Sequence, residues 1–151
     1  MPRIDTRFGS LDYEEDAVVE FPAGLPGFAD ERRFLLIEQP AHRPLAFLQS
    51  VTRPELCFVT LPVRSIAADY QLKVSPEDLS LIGLDPAGHP VISEQVLCLA
   101  ILCLRRDQPP TANLLGPVVI NRVARRAVQA VRDDMVYSAY YPLGAVEEPC
   151  S

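Results

Sequence analysis

The chain has 151 residues, with 20 acidic and 14 basic side chains and a net charge of −6, so it lacks the positive balance by which a sequence-independent nucleic-acid binder neutralises phosphates. With 48% apolar and 23% charged residues it reads as one globular domain over residues 1–151, long enough to bury roughly 70% of its unfolded surface without metal or disulfide staples. The longest apolar run, residues 96–104, has nine residues where a membrane-spanning helix needs about 20, and residues 1–20 contain no signal-peptide core, so a cytoplasmic protein is expected.

In chain order, alternation and β-branched or aromatic content predict strands at residues 4–8, 11–13 and 17–21, with the glycines of FGS and AGLPG available for the tight turns that follow. The segment between the second and third holds Asp12, Glu14, Glu15, Asp16 and Glu20, five carboxylates in nine residues with no base. It reads either as a solvated face or as a patch that steers a basic partner. Further strands are predicted at 34–37, 46–50, 57–61 and 70–74.

A helix over 76–82 has a full start signal: Ser75 as N-cap, Pro76 at the first position, Glu77 and Asp78 in the first turn, and Gly83 as its stop. Strands are predicted again at 96–105, 111–114, 118–121 and 127–132. The last is ambiguous. Val123, Ala127, Val128 and Val131 fit a helical face, while Val128 and Ala130 set against Gln129 permit a strand. From about residue 138 the tail, with Pro142, Gly144 and Pro149, is expected to fray. Many short strands with one short helix and no βαβ alternation give a mainly β architecture, a small antiparallel barrel-like domain.

Catalytic and cofactor patterns are sparse. His42 and His89, the only histidines, each lie in a proline-containing loop, and the GxSxG, P-loop and GxGxxG motifs are absent. Cys57, Cys98, Cys103 and Cys150 form no CxxC pair and read as reduced thiols. No catalytic, cofactor-binding or metal-ligating residue is assigned. The arginines Arg122, Arg125, Arg126 and Arg132 lack interleaved aromatics and read as a solvated strand face.

The segment 111–121, TANLLGPVVIN, contains the only two asparagines of the chain, Asn113 and Asn121. An amide both donates and accepts, so these residues read first as bridges to backbone and second as partner contacts.

Seven segments occur in a recognisable order: RFGSLDY (7–13), FPAGLPGF (21–28), RFLLIE (33–38), LQSV (48–51), the pair Asp69 and Tyr70, SPEDL (75–79) and TANLLGPVVIN. On these the chain resembles the flagellar assembly factor FliW family over about residues 4–137. It departs at Phe47, where the family often has Trp, at Gly116, where Ala is usual, and at Leu61-Pro62 in place of a common Asp-Pro. The last departure bears on partner specificity around residues 61–65.

The resemblance implies a non-enzymatic regulator without cofactor. Such a protein binds the RNA-binding translational repressor CsrA, relieving repression of flagellin translation, and in competition binds flagellin. It also implies a strand in the ambiguous 122–134 stretch. The partner-binding positions expected are Gln49 and Ser50, as exposed polar residues after a buried strand, Asp69 and Tyr70 before the helix, Asn113 and Asn121, and the acidic Asp12, Glu14, Glu15 and Asp16. The free protein is expected to be a monomer that binds neither membrane nor nucleic acid directly. Two alternatives remain open: a nucleic-acid-binding barrel of the OB type, and a cysteine-dependent enzyme needing a base such as His42 or His89 beside Cys57.

Overall fold

In the computed structural model, which describes residues 2–6, 9–25 and 27–143, the alternating segments become β1 (Arg3–Thr6), β2 (Gly9–Asp12), β3 (Val18–Glu20), β4 (Arg33–Ile37), β5 (Ala46–Ser50) and β6 (Cys57–Pro62). Two short helices follow, α1 (Val63–Ile66) and α2 (Pro76–Leu81), and then β7 (Val96–Cys103), β8 (Thr111–Ala112), β9 (Val118–Asn121), β10 (Arg126–Gln129) and β11 (Tyr141–Pro142). β3, β4, β5, β6, β7, β9 and β10 pair in that order, and β10 returns to β3, closing a seven-stranded barrel. Every pairing in it is antiparallel except the closing one. There β10 runs parallel to β3 through one register pair, Arg126 opposite Glu20, and the Glu20 amide donates to the Arg125 carbonyl at 2.9 Å. β1 and β2 form a hairpin of their own, and β8 with β11 makes a ribbon on β7. The mainly β, barrel-like class expected is what forms, with α1 as a second helix beside the one expected.

Because strand side chains alternate, each strand serves two clusters. Val19, Phe34, Leu48, Phe58, Leu99, Val118, Ile120 and Ala127 come from all seven barrel strands and fill its interior. The opposite face of β7, β9 and β10 packs Cys98, Ala100, Val119 and Val128 under Val63, Tyr70, Ile82 and Leu114. On the other side, Val18 and Leu35 pack under Ile4 of the hairpin. β7 contributes to the interior and to the outer cluster, so its sequence VLCLAILC is apolar without interruption.

Local signals act as read. Ser75 Oγ accepts from the Asp78 amide at 3.1 Å, Leu79 is buried, and Gly83 at φ +80 ends α2 while the Leu84 amide donates back to the Leu79 carbonyl. Gly24 sits at φ +68, where a Cβ would lie 2.4 Å from the Ala29 carbonyl oxygen, so the FPAGLPGF turn has room only for glycine.

Two expectations are corrected, and the strand expected in the ambiguous 122–134 stretch forms. Residues 70–74 form no strand. Their polar groups are met by side chains instead: the Gln71 carbonyl accepts from the Arg132 guanidinium, and the Gln71 amide donates to the Tyr137 hydroxyl at 3.3 Å. Residues 138–143, where the tail was expected to begin fraying, are hydrogen-bonded in place. The Leu114 amide donates to the Ser138 carbonyl, β11 pairs with β8, and the Leu143 amide donates to the Pro110 carbonyl at 3.1 Å. The ambiguous 122–134 stretch contributes β10, with Val123 exposed on the turn that Arg125 makes at φ +56. Arg7 and Phe8 of the first predicted strand, Pro26, and Gly144, Pro149 and Cys150 of the tail lie outside the described residues.

Candidate functional site

The TANLLGPVVIN segment crosses the middle of the molecule. Asn121 is buried; its Nδ2 donates to the Ile82 carbonyl at 2.8 Å, and its Oδ1 accepts from the Val123 and Ala124 amides. It ties the end of α2 to the β9–β10 turn. Asn113 Oδ1 accepts from the Gly116 amide at 2.8 Å, which shapes the turn into β9. Both asparagines bridge backbone, the first of the two roles read from the sequence.

Gln49 and Ser50 were expected to be exposed. Both are fully buried. Gln49 Nε2 donates to the carbonyls of Ser50, Pro54 and Leu56, while its Oε1 has no hydrogen-bond partner. Ser50 Oγ donates to Glu31 and accepts from the Thr52 and Arg53 amides. Polar side chains at the end of a strand served here to fold the following turn, and a Thr two residues on was the available signal. The Glu31 carboxyl, also buried, is held below its ordinary range first by its hydrogen bond from Thr52.

The acidic strip acquires bases from distant parts of the chain. Asp12 pairs with Arg3 at 2.8 Å across the hairpin, and Glu15 pairs with Arg33, which also lies 3.9 Å from Glu20. Parallel closure of β10 on β3 brings Arg125 and Arg126 into one surface hollow with Glu15 and Glu20, and Arg125 and Arg122 into another with Asp16 and Glu38. The strip and the arginine cluster are therefore one mixed-charge seam. Among the described residues, only Glu14 and Asp16 of the four predicted acids have no ion-pair partner.

Arg132 does not belong to that solvated face. It is buried, with its guanidinium 4.8 Å from the Tyr137 ring centre and 5.4 Å from that of Tyr70. Its Nε and Nη2 donate to the two carboxylate oxygens of Asp134 at 3.0 and 2.7 Å. Those bonds hold the Asp134 carboxyl at about 2, down from an ordinary 3.8. Tyr70, expected at a partner surface, is fully buried; its hydroxyl donates to the Leu114 carbonyl at 2.8 Å, and burial pushes it up to about 12. Its neighbour Asp69 is exposed. Asp134 Oδ1 also accepts from the Val136 amide, and Lys73 pairs with Asp133 at 2.9 Å. The loop 131–137 is thus clamped from beneath and pinned at its side. It carries Val131, Met135 and Val136 in solvent, with Met135 at φ +56. No sequence signal marked this loop, because Gln71 and Lys73, which tie Arg132 and Asp133 down, lie some 60 residues away.

A separate open groove of about 680 Å³ runs between α1 and the β8–β11 ribbon, lined by Leu61, Ser65, Ile66, Pro110 and residues 141–143. Leu61, a point of departure from the family pattern, faces it. The lining offers no carboxylate, histidine or cysteine for acid–base or nucleophilic chemistry. Burial pushes the Cys98 thiol up to about 12, far from a reactive thiolate. His42 is exposed and bonded to Gln39. Among the described residues no group of three or more His, Cys, Asp or Glu side chains is placed to hold a metal ion, and no helix is long and apolar enough to cross a membrane.

The same fold is found in a solved structure. A solved structure described as the crystal structure of the flagellar assembly factor FliW superposes with a TM-score of 0.81 at 29% identity, covering 95% of this chain and 98% of that one. The flagellar assembly factor FliW of Natranaerobius thermophilus is 36% identical over 136 residues, covering 90% of this chain and 87% of the relative. Those of Heliobacterium modesticaldum and Syntrophomonas wolfei are 35% and 31% identical, covering 97% and 95% of this chain and 95% and 88% of the relatives. The family model described as FliW protein matches residues 3–143, which span the barrel, the hairpin, both helices and the clamped loop. The chain belongs to the FliW family of flagellar assembly factors.

Proposed function

We propose that this flagellar assembly factor is a cytoplasmic, non-enzymatic regulator, monomeric when free, that binds the RNA-binding translational repressor CsrA and, in competition, flagellin. Binding the repressor lifts its block on flagellin translation; free flagellin then recaptures the regulator. Membership of the FliW family over residues 3–143 is the observation that carries this reading. The net charge of −6 suits a basic partner. Antagonism of this kind needs only a difference in affinity between two conformations of the repressor, not mimicry of RNA.

Two rival classes find less support. An OB-type nucleic-acid binder needs a continuous basic track, yet Arg122, Arg125 and Arg126 share their hollows with Glu15, Asp16, Glu20 and Glu38. For the cysteine enzyme, burial and a raised pKa remove Cys98 as a nucleophile, and half-buried Cys57, the thiol that reading invoked, is tested by Cys57→Ser in a folded protein.

The test mixes the purified protein with CsrA of the same host at micromolar concentration. A complex on size exclusion, loss of repressor-bound leader RNA and displacement by added flagellin are expected. Absence of any complex overturns the proposal.

A further inference from the structure

Seven large apolar side chains are exposed among the described residues, and three of them, Val131, Met135 and Val136, fall within six consecutive positions. Met135, 80% exposed, is held at φ +56, a conformation disfavoured for any side chain beyond glycine. Something must hold the loop there. Arg132 does so, through both oxygens of Asp134, the Gln71 carbonyl and the faces of Tyr70 and Tyr137. The apolar tips are therefore presented on a loop already ordered, and little freedom remains to be lost when a partner covers them. Methionine at such a place adapts to an irregular apolar pocket.

Acids outnumber bases around the tips. Residues 73–76 and 131–133 line one surface hollow, and the two segments are further joined by the Lys73–Asp133 ion pair and the Tyr70–Tyr137 ring contact, whose centres are 4.3 Å apart. Exposed or half-exposed acids there are Asp69, Glu77, Asp78, Asp133 and Asp134, against two exposed bases, Lys73, which pairs with Asp133, and Arg64, whose guanidinium donates to the Tyr70 carbonyl at 3.4 Å. The other acidic strip is already met by Arg3, Arg33, Arg125 and Arg126, and the groove beside β11 has no carboxylate in its lining. Among the described residues, the clamped loop combines three exposed apolar side chains with an excess of acids.

We infer that the loop 131–137, with Met135 and Val136 as apolar anchors and the acids of 69–78 and 133–134 around them, is the surface that docks the basic repressor. The inference rests on the function proposed above and adds its interface. Arg132 is a positioning residue of that surface; Met135 and Val136 touch the partner.

The experiment measures binding of the full chain to purified host CsrA and, separately, to flagellin, by calorimetry or biolayer interferometry. Met135→Gly removes the anchor but suits φ +56, so its melting temperature stays at or above that of the parent. It and Val136→Glu are expected to weaken repressor binding by about 10-fold or more. Flagellin affinity is expected to stay within about 2-fold of the parent, and so is repressor affinity for Leu61→Glu in the remote groove. If the folded Met135→Gly and Val136→Glu proteins hold the repressor as tightly as the parent, the interface is wrong while the proposed function stands. If they lose flagellin alone, the interface is assigned to the wrong partner. If the parent chain binds neither protein, the function and the interface fall together.

Discussion

Asn121 shows what one side chain does for this fold. Its amide donates to the Ile82 carbonyl in a buried place and accepts two amides of the β9–β10 turn at the edge of it. Asn121→Ala strands those groups and is expected to cost about 1 to 3 kcal/mol in denaturant unfolding. Asn113, half-buried with one bond to the Gly116 amide, is expected to cost about 1 kcal/mol on the same change. A normally stable Asn113→Ala protein that no longer binds a partner would reverse the structural assignment. Gln49 and Ser50 mark the limit of reading single residues. A polar type at a strand end fits either an exposed contact or a buried staple, and the carbonyls of Pro54 and Leu56 that decide the matter arrive only with the turn.

At the scale of elements, α2 is the piece most completely written in local sequence. Ser75, Pro76 and Gly83 each act within one turn of their own position, so the helix and both its ends were readable. Ser75→Ala removes the Oγ that accepts from the Asp78 amide and is expected to cost about 1 kcal/mol; Ser75→Asp is expected to retain most of that stability. Buried Leu79 presses α2 onto the barrel, and burial raises the neighbouring Asp78 carboxyl. Residues 70–74 are the contrasting case. Tyr70, Leu72 and Val74 alternate with polar neighbours as a strand would, yet no partner strand lies beside them. Periodicity reports which faces are apolar, and a segment strapped across a barrel by Arg132 and Tyr137 shows the same pattern as one in a sheet.

At the scale of the whole molecule, acid is expected to remove stability that lowered carboxyls contribute, Asp134 of the Arg132 clamp among them. Arg132 lowers the Asp134 carboxyl from 3.8 to about 2. Asp133, Glu31 and Asp12 are lowered as well, chiefly by hydrogen bonds from Lys73, Thr52 and Arg3. A carboxyl lowered on folding contributes stability that is fully present above its unfolded pKa and is lost as pH falls through the folded one. Asp78, raised by burial, works in the opposite sense. Melting temperature is therefore expected to fall below about pH 4, and the deficit of Asp134→Asn against the parent to shrink between pH 4 and pH 2. A deficit that stays constant across that window would deny Asp134 its role in the clamp.

The sequence by itself determined the β content, nearly all the barrel strands, the capped helix, the bridging asparagines and the likeness to a family. Each of these rests on alternation, on caps and turns within a few residues, or on ordered motifs. Only the tertiary structure decided that β10 closes on β3 in parallel, and so that the acidic strip and the arginines form one seam. It alone decided that Arg132 is buried under a loop that holds Met135 and Val136 in solvent. Those outcomes depend on which distant segments meet, and a charge or an apolar tip has no fixed role until the chain closes around it.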